Sequence, residues 1–135
     1  MTLSAAPVVI LAGTNDVAGN TGPFSPAATQ DCLASMAELA QANGIRVVLA
    51  SILPAYDYPW APGLQPAPKI VALNAWIKDY AAKNDCVYLD YFTPMADARQ
   101  GLKAEYTYDG VHPNSAGYAV MQTLAEQAIA QAFAK

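Results

Sequence analysis

Three short runs of consecutive apolar residues limit the folds that are open to this chain. They are rich in β-branched residues, show no alternation with polar residues, and span 7–12, 45–50 and 86–90. A strand that is covered on both faces has this composition, whereas a strand with one face in water alternates. The sequence therefore predicts buried strands of a parallel sheet.

Helical patterns separate and follow these runs. The first predicted helix spans 26–43, with Ser25 as its N-cap, the second spans 68–83, and the third begins at Asn114 or Ser115 and runs almost to Lys135. Strands that alternate with helices form right-handed crossovers. We expect a single α/β domain over 1–135, a three-layer sandwich around a parallel sheet of about three strands.

The spacing of apolar residues predicts which face of each helix is buried. The predicted faces are Cys32, Met36, Leu39 and Ala40 in the first helix, Ile70, Leu73, Ile77 and Tyr80 in the second, and Val120, Met121, Leu124, Ala128, Ile129 and Ala132 in the third. Cys32 and Cys86 are not spaced as a metal or redox pair, and we expect both to be buried free thiols.

Composition excludes two classes of partner. Hydrophobic residues make up 54% of the chain and charged residues 13%, and the seven Lys and Arg residues form no basic run, so nucleic acid is not an expected partner. No apolar stretch approaches the ~20 residues that span a bilayer. The first residues also lack the pattern of a signal peptide. We expect a soluble protein and leave its compartment open.

A long connection, 52–67, leaves the carboxyl end of the second strand, where ligands bind in open α/β sheets. It is rich in proline and carries Tyr56, Tyr58 and Trp60. Long loops without secondary structure are often functional. These aromatic side chains either line an acyl or aryl pocket or only cover the edge of the sheet, and the sequence leaves both interpretations open.

The first strand ends in the turn Gly13-Thr14-Asn15-Asp16. The glycine permits a tight turn as the chain leaves the sheet. The Asn15 amide is a neutral N–H donor with little freedom, and this suits an oxyanion hole, whose donors are fixed before charge develops. The alternative is that Asn-Asp serves only as a turn or helix cap.

A second candidate group lies just before the last helix. His112 is the only histidine, and Asp109 precedes it by three residues. The carboxylate can curl back to accept a hydrogen bond from Nδ1, which fixes the tautomer and leaves Nε2 to take a proton. The alternative is a structural or surface histidine.

Together, Gly13-x-Asn15-Asp16 after one parallel strand and Asp109-x-x-His112-Pro113-Asn114 before the last helix resemble the third and fifth conserved blocks of the SGNH/GDSL hydrolases. The resemblance implies a flavodoxin-like sheet of order 2-1-3-4-5 and hydrolysis of a small carboxylic ester without metal or organic cofactor. It assigns the oxyanion hole to Asn15 and its turn glycine, Gly13. It makes His112 the general base, which Asp109 orients.

The family's Gly-Asp-Ser nucleophile block is not present in this sequence. Only twelve residues precede Gly13, so we expect a chain that lacks the first strands of the family fold and is weakly active or inactive alone. Two alternatives are a non-catalytic remnant that binds a ligand or partner, and a fragment that a separate N-terminal piece completes.

Another serine would have to replace the missing nucleophile. Ser51 ends the second strand on the expected side of the sheet and is the best substitute, although a weak one. Ser25 and Ser115 are expected to be helix caps, and Ser4 precedes the first strand at the opposite end. A serine needs a base within hydrogen-bond reach to act as a nucleophile.

Loss of the first strands would leave the strand near 8–12 as an apolar sheet edge. Such an edge recruits another strand, and a chain poor in charge has surface to hide. We expect a homo-oligomer, a dimer in the simplest case, that pairs through this edge.

Overall fold

The computed structural model describes residues 6–135 and contains a parallel sheet of three strands. The strands are β1 (Val8–Ile10), β2 (Val47–Ala50) and β3 (Val87–Leu89), in the order β1-β2-β3. Each strand lies within one of the three apolar runs. The predicted parallel sheet is confirmed, with strands a few residues shorter than the runs that predicted them.

Five α-helices and one 3-10 helix complete the described chain. They are α1 (Thr14–Val17), α2 (Pro26–Ala42), α3 (Pro66–Lys83), α4 (Phe92–Met95), the 3-10 helix Ala104–Tyr106 and α5 (Ser115–Phe133). The three long helices were predicted, and the three short ones were not. None of the described helices is long and apolar enough to cross a membrane.

Side-chain caps fix where two of the long helices begin. The Ser25 hydroxyl accepts a hydrogen bond of 3.2 Å from the Ala28 N–H at the start of α2. The Asn114 side chain accepts one of 2.9 Å from the Gly117 N–H at the start of α5. These bonds satisfy N–H groups that have no partner within the helix. Asn114, rather than Ser115, is therefore the cap of α5.

Alternate residues of β2 enter two separate apolar clusters. Val47 and Leu49 pack with α2 and α3, whereas Val48 and Ala50 pack with α5. Successive side chains of a strand point to opposite faces, so helices cover both faces of the sheet. The predicted α/β three-layer sandwich is confirmed.

The predicted buried face of α2 is wrong. The residues buried on this helix are Thr29, Leu33 and Ala37, while Cys32 and Met36 are exposed and Leu39 is 68% exposed. The helix is turned by about one residue, or ~100°, from the predicted orientation. Alanines are so frequent in α2 that its hydrophobic pattern defines the buried face poorly. The expected burial of the other cysteine, at position 86, is confirmed.

The strand β1 lies at one edge of the sheet. It pairs only with β2 among the described residues, and Val8 and Leu11 are 36% and 42% exposed. These apolar side chains flank the edge that carries the unpaired backbone groups. The described part of the chain thus presents an open apolar strand edge.

Candidate active site

Gly13 makes the turn that carries the chain from β1 into α1. Its φ of 125° lies in a region that residues with a side chain rarely adopt. A Cβ atom at this position would lie 2.7 Å from Cδ1 of Ile52, which is fully buried. Both the backbone angle and the contact with the chain after β2 therefore require glycine here.

Asn15 follows this turn and is exposed on α1. Its side-chain oxygen accepts a hydrogen bond of 3.3 Å from the side-chain amide of Asn20, whose backbone N–H bonds the Asn15 carbonyl at 2.9 Å. Because the oxygen is the accepting atom, the Nδ2 hydrogens of Asn15 remain for another acceptor.

The neighbouring carboxylate, Asp16, ties the turn to α2. Its two oxygens accept hydrogen bonds from the hydroxyls of Thr21 at 2.8 Å and Thr29 at 3.1 Å. Thr29 is one of the buried residues of α2. Asp16 thus has the structural role in the turn that was one of the two interpretations of the Asn-Asp pair.

Asp109 and His112 are in direct contact. The His112 Nδ1 atom lies 2.7 Å from Oδ2 of Asp109, while Oδ1 of the same carboxylate accepts hydrogen bonds of 2.8 Å from the Val111 and His112 N–H groups. The His112 side chain is 70% exposed. The backbone therefore holds one oxygen of the carboxylate, and the other oxygen contacts Nδ1 of the imidazole. The second ring nitrogen, Nε2, takes no part in this contact.

These hydrogen bonds also set the charge of Asp109. The backbone N–H of His112, the His112 side chain and the Val111 N–H together hold the pKa of the Asp109 carboxyl well below its usual range. Asp109 is thus a carboxylate at neutral pH and accepts the Nδ1 hydrogen of the ring. This contact fixes the orientation of the imidazole ring and favours the tautomer that carries its hydrogen on Nδ1.

Thr107 supports this loop and was missed in the sequence. Its hydroxyl donates a hydrogen bond of 2.7 Å to the His112 carbonyl and accepts one of 3.0 Å from the Gly110 N–H. The sequence shows only a threonine two residues before the aspartate, and the structure shows that it is buried. The bonds close the Asp109–His112 loop across its base.

Trp60 reaches His112 from the long connection after β2. The two ring centroids lie 6.1 Å apart, and Trp60 stacks on Tyr58 with a centroid distance of 5.0 Å. Tyr58 is fully buried, and burial raises the pKa of its hydroxyl to about 12. Tyr58 therefore packs in the core, whereas Trp60 lies beside the histidine.

Asn74 of α3 fixes the point where this connection begins. Its side-chain oxygen accepts a hydrogen bond of 2.7 Å from the Ile52 N–H, and its amide donates one of 3.1 Å to the Ile52 carbonyl. Asn74 is buried within the apolar stripe of the helix. A single amide in such a stripe is the signal that could have identified it, because buried polar groups are almost always hydrogen-bonded.

The structure brings Asp109 and His112 together and places the Asn15 turn at the same edge of the sheet. Carboxyl ends of parallel strands share an edge, and the Gly13 turn contacts Ile52, which begins the connection that carries Trp60 to His112. The elements that follow all three strands therefore surround one region.

Ser51 gains no support as a substitute nucleophile. It is fully buried, and its hydroxyl oxygen accepts hydrogen bonds of 3.0 Å from the N–H groups of both Tyr91 and Phe92. These bonds anchor the chain that leaves β3. Ser25 caps α2, as predicted, and Ser4 lies outside the described residues.

Known proteins share both the sequence pattern and the fold of this chain. The family model of GDSL-like lipases and acylhydrolases matches residues 2–120. No curated protein sequence matches the chain significantly.

Solved structures share the fold over almost the whole chain. A GDSL-like lipase from Bacteroides thetaiotaomicron VPI-5482 is 47% identical, with a TM-score of 0.91 over 96% of this chain and 64% of its own. A proposed acylhydrolase from Bacteroides fragilis NCTC 9343 is 46% identical, with a TM-score of 0.90 over 95% of this chain and 62% of its own. A proposed lipolytic protein of the G-D-S-L family from Desulfitobacterium hafniense DCB-2 is 25% identical, with a TM-score of 0.74 over 91% of this chain and 65% of its own.

This chain spans less than two thirds of the length of each of these relatives. The match to the family model nevertheless includes both the Gly13 turn and the Asp109–His112 loop. The chain belongs to the GDSL-like lipase/acylhydrolase family.

Proposed function

We propose that this chain carries the general base and one oxyanion donor of an SGNH-type serine ester hydrolase. The contact between His112 Nδ1 and Asp109 Oδ2, at 2.7 Å, is the observation that carries the proposal. His112 is the base, Asp109 orients it, and the Asn15 amide, which follows the Gly13 turn, is the oxyanion donor. The substrate is a small carboxylic ester, and the chemistry requires neither a metal nor an organic cofactor.

In this mechanism the proton moves through His112 Nε2. The nucleophilic hydroxyl gives its proton to Nε2 as its oxygen attacks the ester carbonyl, and Asp109 stabilises the imidazolium that forms. The Asn15 Nδ2–H donates to the oxygen that becomes negative. The imidazolium then returns the proton to the departing alcohol. Water then gives a proton to Nε2, attacks the acyl group on the nucleophile in the same way and releases the acid.

The nucleophile is the part of this mechanism that we do not assign within residues 6–135. Ser51 is buried and Ser25 caps a helix, so neither is available. We propose that the nucleophilic serine comes from outside the described residues and that the chain alone is weakly active or inactive. The relatives' additional length supports this proposal.

Hydrolysis of p-nitrophenyl acetate by the wild type and by His112→Ala tests the proposal. The background should be Cys32→Ser, because Cys32 is an exposed thiol that can itself react with this activated ester. Turnover that disappears with His112 supports the hydrolase. Turnover that is indifferent to His112 contradicts it.

Absence of turnover in the chain alone leads to a second assay. The part of the Bacteroides thetaiotaomicron relative that this chain does not cover is then added in trans or fused. Turnover that appears and depends on His112 supports completion of the site by a separate piece. Turnover that stays absent favours the alternative, a non-catalytic remnant that binds a ligand.

The edge of β1 supports a second proposal, that the chain forms a homo-oligomer through this edge. Val8 and Leu11 expose apolar surface beside the unpaired edge of the strand. Pairing with another strand would satisfy the backbone groups and cover these side chains.

Light scattering after size-exclusion chromatography measures the mass of the assembly. A dimer that becomes monomeric in Val8→Lys supports pairing at the edge. Leu39→Lys is the matched control, because it makes the same kind of change at an exposed apolar residue that belongs to α2 and not to the strand. This control should remain a dimer. A stable monomer of the wild type at micromolar concentration would overturn the oligomer.

A further inference from the structure

Trp60 lies on the connection after β2, with its indole beside the ring of His112. The two ring centroids are 6.1 Å apart and the ring planes are inclined by 36°. Aromatic rings interact favourably at centroid distances of about 4.5–7 Å. The proposed mechanism assigns this indole no task, since it uses only Asp109, His112 and Asn15.

The backbone turn that carries Trp60 is closed by a hydrogen bond. The Ala61 N–H donates to the Tyr58 carbonyl at 3.1 Å. Pro59 and Trp60 are the two central residues of this four-residue turn. Proline at the first central position has its φ already set near the value that common turns need. The local sequence therefore favours this turn before tertiary contacts form.

The Asp57 carboxylate closes a larger loop around the same turn. Its Oδ1 accepts hydrogen bonds from the Tyr58 and Gly63 N–H groups at 2.9 and 3.1 Å, and its Oδ2 accepts one from Gly63 at 3.3 Å. One side chain thus joins both ends of the segment that contains Trp60. Hydrogen bonds to a carboxylate are stronger than those between neutral groups, so the segment resists displacement.

The indole itself is anchored on the apolar core. Trp60 stacks on Tyr58, with ring centroids 5.0 Å apart and planes inclined by 23°. Tyr58 is fully buried and belongs to the same apolar cluster as Val47 and Leu49 of β2. The turn, the carboxylate and the stacked ring together restrict the indole to one position, although half of the Trp60 side chain is exposed.

The His112 ring is held by fewer contacts than the indole beside it. It is exposed, and Asp109 is its one hydrogen-bond partner among residues 6–135. A single hydrogen bond at Nδ1 fixes one ring atom but allows the imidazole to rock about that atom. A general base needs its accepting nitrogen within about 2.6–3.2 Å of the proton donor. A rigid neighbour that limits this rocking would therefore favour proton transfer.

We infer that Trp60 is a positioning residue for the general base, whose indole keeps the His112 imidazole in the orientation that joins Nδ1 to Asp109 and presents Nε2 to the nucleophile. This role differs from that of a pocket wall, which acts on the substrate and not on the histidine. The inference rests on the proposed function for the task of His112. The order of the ring can be measured without turnover.

Nuclear magnetic resonance relaxation of the ¹³C,¹⁵N-labelled chain tests the inference, and the ring signals are unambiguous because His112 is the only histidine. We expect a rigid ring in the wild type, with an order parameter near about 0.85. Trp60→Leu should lower it below about 0.6, the range of flexible groups. Trp60→Phe keeps an aromatic ring that can stack on Tyr58 and should retain most of the order.

Trp76→Leu is the matched control. Trp76 stacks on Tyr80 within α3 at the same centroid distance, 5.0 Å, and at a similar angle, 24°. The substitution therefore removes an equivalent stacked indole and should leave the order of the His112 ring unchanged. A ring that is mobile in the wild type, or equally ordered in Trp60→Leu, would overturn the inference. An equal loss of order in Trp76→Leu would overturn it too, since general destabilisation would then explain the effect.

Kinetics of the chain completed with the added piece of its relative separate positioning from substrate contact. Trp60→Leu should lower kcat about tenfold and leave KM within about twofold, because a misplaced base slows the chemical step. Trp60→Phe should restore most of the kcat. A raised KM with an unchanged kcat would overturn the inference and make Trp60 a wall of the substrate pocket. Turnover that is indifferent to His112 would contradict the proposed function, whereas the order parameter would still decide whether Trp60 holds the ring.

Discussion

Replacement of Gly13 by alanine tests how tightly the turn after β1 is packed. At the φ of 125° an L-residue is strained by about 1–3 kcal/mol. The new methyl group would also lie 2.7 Å from Ile52 Cδ1 in a fully buried site, and overpacking of this kind costs about 1–3 kcal/mol more. Gly13→Ala should therefore lower the free energy of unfolding by about 2–6 kcal/mol, as measured by urea denaturation.

A double-mutant cycle separates the two causes. Ile52→Val removes Cδ1, the atom nearest to the new methyl group, and should cost about 0.5–1.5 kcal/mol in the wild type. In the Gly13→Ala background the same change relieves the collision. It should then cost little or be stabilising, with a coupling energy of about 1 kcal/mol or more.

Gly44→Ala is the control for backbone strain alone. Gly44 also has a positive φ, of 71°, but a Cβ atom there would meet nothing within 4 Å. It should therefore lose about 1–2 kcal/mol. The reasoning is refuted if Gly13→Ala costs no more than Gly44→Ala, or if the coupling between Gly13 and Ile52 is below about 0.5 kcal/mol.

Three further changes probe the residues around the site. Asn74→Ala leaves the buried N–H and carbonyl of Ile52 without partners and should lower the free energy of unfolding by about 2–4 kcal/mol, which urea denaturation measures; a loss under ~1 kcal/mol would contradict it. Since the folded-state pKa of Asp109 is depressed, its stabilisation is complete above pH ~4 and declines as the pH falls further. Asp109→Asn should flatten the acid decline of the melting temperature, and an unchanged slope would refute this. Thr107→Val removes the hydroxyl that bonds the His112 carbonyl and the Gly110 N–H, so it should reduce kcat of the chain completed with the added piece of its relative. An unaltered kcat would contradict a supporting role of Thr107.

The sheet and the long helices could be predicted because their signals are local. Continuous apolar runs identified β1, β2 and β3, and the cap at Ser25 located the start of α2. The Asp109–His112 contact was predictable for the same reason, since three residues of chain suffice to close it. The position of the Asn15 turn relative to this pair, in contrast, depends on how the strands are arranged in the sheet.

Features that depend on packing could not be predicted in the same way. The buried face of α2 is set by its fit against the neighbouring elements, and a helix rich in alanine allows more than one orientation. The roles of Asn74 and Thr107 depend on which backbone groups the fold leaves without partners. A sequence shows such residues as isolated polar positions but does not show what they bond.

The amide of Asn74 has a consequence for how the connection after β2 can vary. It anchors the first peptide of the connection after β2 to a long helix, so the origin of that loop stays in place when its later residues vary. Insertions or substitutions beyond Ile52 can therefore reshape the surface beside the Asp109–His112 pair while the contact between Ile52 and the Gly13 turn is preserved. A graft of a different loop should begin after Ile52 and retain Trp60, so that new recognition can be introduced without disturbing the histidine beside it.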